Sequence, residues 1–172
     1  MDNLPPWINT YWKLYGGWRA LLFSPYLAAA FIVAIPCVGL WQPGADATWA
    51  DTSISVLPSL MGFSMAGMAI MLAFSHPESL RAVTQKGKGN SYFLKVAASL
   101  CHFLVVQIVA LLCALVRKSG FEWAPFSYFG VLMFLYAIFV SLGAAGQLFN
   151  TARIMNAAAW IQQKNKPAKK KK

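Results

Sequence analysis

The chain has 172 residues and a formal net charge of +10, with 58% apolar and 12% charged residues. A charged share roughly half that of soluble domains, with the apolar residues gathered into long runs, excludes an ordinary soluble fold. The positive charge needs no nucleic acid: a basic face attracts anionic lipid at about 1 kcal/mol per residue near the surface. The chain also has no nucleic-acid module, no zinc spacing and no phosphate-binding glycine loop.

Residues 1–20 read as an interfacial segment. Asn3 is placed to cap a helix starting at Pro5 or Pro6, where a missing N–H costs nothing. Trp7, Ile8, Tyr11, Trp12, Tyr15 and Trp18 then recur at helical spacing, with Asn9, Lys13 and Gly16 off the stripe. This predicts an amphipathic helix over 5–18 on the inner leaflet, because tryptophan and tyrosine favour the headgroup layer. The alternative is that the same rings pack on neighbouring helices.

Four apolar runs follow, at about 21–40, 54–74, 92–116 and 126–149. Each reaches the ~20 residues that cross roughly 30 Å of hydrocarbon at ~1.5 Å per residue. They predict an all-α, polytopic membrane protein whose four-helix transmembrane bundle occupies 21–149. In the first run Pro25 falls in a tolerant first turn, whereas Pro36 removes an interior hydrogen bond and predicts a kink.

The second run carries Ser59, Gly62, Ala66, Ala69 and Ala73 at spacings of 3, 4, 3 and 4, with Met61, Met65, Met68 and Met71 beside them. Small residues at heptad spacing let helices approach closely in lipid. The seam predicts a subunit interface, a pore-lining face or tight packing within one subunit. In the third run Lys95, Ser99 and His102 share a face, and Gln107 lies about 140° further round the helix. Intramembrane polar groups mark functional sites or bond across to another helix. The fourth run repeats the heptad spacing with Gly130, Ala137, Ser141 and Ala144.

Residues 150–172 predict a cytoplasmic helix extension, with Ile154, Ala158 and Ile161 on one face, ending in a polybasic tail. With both termini inside, the inner segments hold 13 of the 15 lysines and arginines, so the positive-inside rule favours that orientation. Arg81, Lys86, Lys88, Arg153, Ile154, Ile161 and Lys169, Lys170, Lys171 and Lys172 then form a face for anionic lipid or a cytosolic partner protein.

Five acidic residues are spread through the chain, with Glu78 two residues from His76 and none near His102 in sequence. Cys37, Cys101 and Cys113 all fall inside apolar runs and read as packing residues. The inventory predicts no enzyme, no cofactor and no metal. No acidic residue lies within a span, which argues against proton- or cation-coupled export.

Four helices, short loops, a basic cytoplasmic face and no catalytic residues resemble, over the whole chain, the membrane subunits of bacterial phage-defence pairs such as the Kiwa membrane component. The resemblance implies a homo-oligomer in the bacterial inner membrane that senses disturbance and signals to a cytosolic, nucleic-acid-binding effector. The competing expectation is an oligomeric pore or membrane-perturbing effector.

Overall fold

A computed structural model describes residues 5–42, 48–73, 89 and 91–165, and these residues form seven α-helices with no strand among them. The helices are α1 (Pro6–Tyr15), α2 (Gly17–Leu22), α3 (Pro25–Ala34), α4 (Val38–Trp41), α5 (Thr48–Ala73), α6 (Tyr92–Lys118) and α7 (Ala124–Asn165). Among the described residues, three stretches are long and apolar enough to cross a membrane: Trp49–Ala73, Tyr92–Lys118 and Ala124–Ala157. The chain is therefore an all-helical membrane protein.

The first apolar run is not one helix, which corrects the expectation of a continuous span over 21–40. Pro25 has no N–H for the Leu21 carbonyl, so Ser24 N–H donates there instead, at 3.2 Å. Ser24 itself is extended (φ −68°, ψ 124°), as a residue before proline prefers to be. A second break falls at Ile35–Cys37, around Pro36, and there the Trp41 indole N–H donates back to the Ala34 carbonyl at 3.3 Å. Between the breaks α3 has only 10 residues, about 15 Å of helix.

α6 lies between α5 and α7, α3 packs on α7, and α1 packs on α6. The main core joins Leu57 of α5, Leu100, Phe103 and Ala110 of α6, and Tyr136, Ala137 and Ala144 of α7, all at most 4% exposed. A smaller cluster gathers Trp49, Ala50, Cys113, Ala114 and Val131. Gly130 is the contact that lets α5 meet α7 there, since a Cβ at this position would overlap the Trp49 ring. Gly143 in the same way admits the Tyr26 ring of α3.

The two small-residue seams have opposite fates. On α7, Gly130, Ala137 and Ala144 are buried within the subunit and Ser141 is half-buried, its hydroxyl donating to the Ile138 carbonyl at 2.6 Å. On α5, the buried positions beyond Trp49 and Ala50 are Ser53, Leu57, Ser64, Gly67 and Met71, spaced 4, 7, 3 and 4 apart as one helical face requires. Ser59, Gly62, Ala66, Ala69 and Ala73 lie on the other face and are all exposed. Nothing stands within 4 Å of a Cβ built on Gly62. Packing of that seam inside one subunit, one of the sequence expectations, is therefore corrected.

α7 has 42 residues, or about 63 Å of helix, far more than a bilayer core requires. Arg153 is exposed, Ile154 is half-buried, and Trp160 and Ile161 are 62% and 53% exposed. Asn3, Arg81, Lys86, Lys88 and Lys169 to Lys172 lie outside the described residues.

Candidate functional site

The polar centre of the bundle forms around His102, in the middle of α6. The sequence places one imidazole among leucine, valine and phenylalanine, and such a group must find partners when water is excluded. His102 is 3% exposed and has two. Tyr11 Oη of α1 lies 2.9 Å from Nδ1, and Tyr136 Oη of α7 lies 3.1 Å from Nε2.

A neutral imidazole carries one N–H and one bare nitrogen, while each phenol both donates and accepts. Either tautomer therefore completes both bonds: Tyr11 donates and Nε2–H donates onward to Tyr136, or the two protons run the other way. The arrangement is a three-member hydrogen-bonded chain linking the N-terminal helix to the bundle. Burial pushes the Tyr11 phenol up to about 12, with Cys101 and Tyr136 adding to the effect. Burial likewise pushes up the Tyr15 phenol, so both rings stay neutral.

Ring packing reinforces the bonds. The Tyr15 ring stacks on His102 at 3.8 Å between centroids and 22° between planes. Tyr11 and Tyr15 are four residues apart, so one face of α1 presents both to the imidazole. The aromatic stripe consequently divides. Tyr11 and Tyr15 are committed to α6, whereas Trp7 and Trp18 remain 62% and 61% exposed. The N-terminal helix thus packs on a neighbouring helix, the alternative raised by the sequence, with its outer aromatics left for another surface.

A backbone joint sets where α1 ends. Gly16 has φ +108° and Gly17 φ +65°, conformations that other residues adopt only under strain, and the Gly16 N–H caps the helix at the Trp12 carbonyl. Beyond the joint, Trp12, Trp18, Val105, Val109, Phe129 and Met133 line an apolar cavity of about 490 Å³, together with Tyr11, His102 and Tyr136.

The other intramembrane polar residues go elsewhere. Gln107 is fully buried, and its Nε2 donates to Ser64 Oγ of α5 at 3.3 Å. The Ser64 hydroxyl in turn donates to the Leu60 carbonyl at 3.0 Å, so this pair ties α5 to α6. Ser99 donates to the Lys95 carbonyl at 3.0 Å and faces Gln147 and Asn150 rather than the tyrosines. Lys95, Ser99 and His102, grouped on one face by spacing, therefore serve two places.

Among the described residues, the carboxylates do not reach the histidine. Asp51 pairs with Lys118 at 2.7 Å, and Glu122 pairs with the buried Arg117 at 3.0 Å. Among the described residues, no group of three or more His, Cys, Asp and Glu side chains is arranged to hold a metal.

The partners of His102 are what the linear sequence missed. Tyr11 and Tyr15 were legible as a stripe but aimed at lipid, and Tyr136, a hydroxyl in the middle of an apolar run, was the available sign of a cross-helix bond. Comparison with protein-family models, with curated proteins and with solved structures gives no match.

Proposed function

We propose that the protein is a non-enzymatic, oligomeric membrane sensor or scaffold that couples the state of the bilayer to a cytosolic partner. The observation that carries this reading is the docking of α1, held on α6 by Tyr11, His102 and Tyr15 and joined to the bundle through two glycines of positive φ. Such a helix has two resting places, the His102 groove and the membrane interface, the layer that its exposed Trp7 favours. Thinning, depolarisation or perforation of the bilayer changes the interfacial option and leaves the docked one alone, so it shifts the balance between them.

In this reading the protein lies in a bacterial inner membrane with both termini cytoplasmic. The broken α2–α4 stretch makes the fourth crossing. The α7 extension and the basic segments form the output face, and the exposed α5 seam joins copies of the chain. The resemblance to phage-defence membrane subunits favours a defence role, with the partner rather than this chain engaging nucleic acid.

Removing residues 151–172 tests the output. Membrane insertion should persist while co-purification of a cytosolic partner from the native host is lost. Partner recovery unchanged by the truncation would refute this assignment.

The exposed seam of small residues on α5 also supports a second reading, an oligomeric pore lined by that face. Leakage from liposomes containing the purified protein alone would favour the pore over the sensor.

A further inference from the structure

Where α6 begins and α7 leaves the bundle, Tyr92, Lys95 and Ser99 face Gln147 and Asn150 across a cavity of about 210 Å³. Its polar atoms are of two kinds. The Lys95 ammonium is a donor on an exposed stem. The Tyr92 phenol accepts from Asn150 Nδ2 at 3.1 Å, which leaves its own O–H to donate. Both sit in the first turn of a 27-residue helix, whose positive end adds to their pull on an anion.

Acceptors make up the second kind, beside the amide N–H donors of Gln147 and Asn150. Gln147 Oε1 is buried and accepts no hydrogen bond, a costly condition that is relieved when this half-buried side chain turns its oxygen to a donor in the cavity. Ser99 spends its hydroxyl proton on the Lys95 carbonyl, so its oxygen lone pairs are left to accept.

From this pairing we infer that the cavity binds a phospholipid headgroup carrying a phosphate and an N–H donor on one short linker, which is phosphoethanolamine. The phosphate meets Lys95 and Tyr92, and the ethanolammonium donates to Gln147 Oε1 and Ser99 Oγ. Phosphocholine offers the same phosphate but presents methyl groups to the acceptors. The inference rests on the membrane reading of the chain and is independent of the sensor role, so either can fail without the other.

The test uses full-length protein in detergent, titrated with phosphatidylethanolamine or phosphatidylcholine of identical acyl chains and read by native mass spectrometry. Phosphatidylethanolamine should bind about tenfold more tightly, the equivalent of one charge-assisted hydrogen bond. Gln147→Leu should bring the ratio to about one without weakening phosphatidylcholine, and Lys95→Met should weaken both lipids alike. The N,N-dimethyl lipid, with one N–H left, should stay closer to phosphatidylethanolamine, a comparison that needs only the wild-type chain. Equal binding of the two parent lipids by wild type, or a preference that survives Gln147→Leu, overturns the assignment.

Discussion

Loosening α1 from the bundle is the perturbation that bears most directly on the proposed mechanism. His102→Ala removes the hydrogen bond to Tyr11 and the stack with Tyr15 together. A cross-helix hydrogen bond in a membrane contributes about 0.6 kcal/mol, and a stacked ring pair about 1 kcal/mol. The sum, about 1.6 kcal/mol, multiplies the undocked population of α1 by roughly 15 at RT ≈ 0.6 kcal/mol. Hydrogen exchange of the α1 amides reads that population directly, since opening of this one segment should raise their exchange by the same factor.

Two milder variants divide the effect. Tyr11→Phe keeps the ring and loses only the bond, so exchange should rise about threefold for ~0.6 kcal/mol. His102→Phe keeps a ring against Tyr15 and takes the same one bond from α1, so its exchange should rise about threefold as well. If α1 exchange in His102→Ala matches wild type while α6 and α7 exchange faster, His102 holds the bundle and not the helix. The lever mechanism would then be refuted.

Gly130→Ala places a methyl in the Trp49 ring, and overpacking of this kind costs about 1–3 kcal/mol; thermal unfolding in mild detergent should show a lower midpoint, partly restored by Trp49→Phe. Gly62→Leu adds a side chain to an open face, so the subunit should unfold at an unchanged temperature while light scattering reports smaller particles. An unchanged particle mass would assign that face to lipid. Reporter fusions after Gly44 and Gly120 should lie outside and those after Gly87 and at the C-terminus inside; an external C-terminus would overturn the orientation.

Much of the helical architecture is a local property, which is why it can be read along the chain. The runs at 54–74, 92–116 and 126–149 overlap α5, α6 and α7 because a stretch without charge, long enough to cross hydrocarbon, must satisfy its backbone internally as helix. Of the breaks around Pro25 and Pro36 only the second was signalled, since a missing N–H in a helix interior is a property of the residue itself, whereas Pro25 was read as tolerated in a first turn. Their depth was underestimated: two prolines 11 residues apart leave a helix of only ten residues between them, too short to count as a span by itself.

Tertiary structure decided which side of each helix meets what. Heptad spacing picks out small residues equally well on α5 and α7, yet the α7 set is mostly buried beneath Trp49 and the core, and the α5 set faces outward. Spacing specifies a face and carries no information about the neighbour opposite it. The same holds for His102. Its need for partners follows from one imidazole in an apolar run, but Tyr11 and Tyr136 are 91 and 34 residues away in sequence. Only the packing of α1 and α7 on opposite nitrogens of that ring makes it a joint between the N-terminal helix and the bundle.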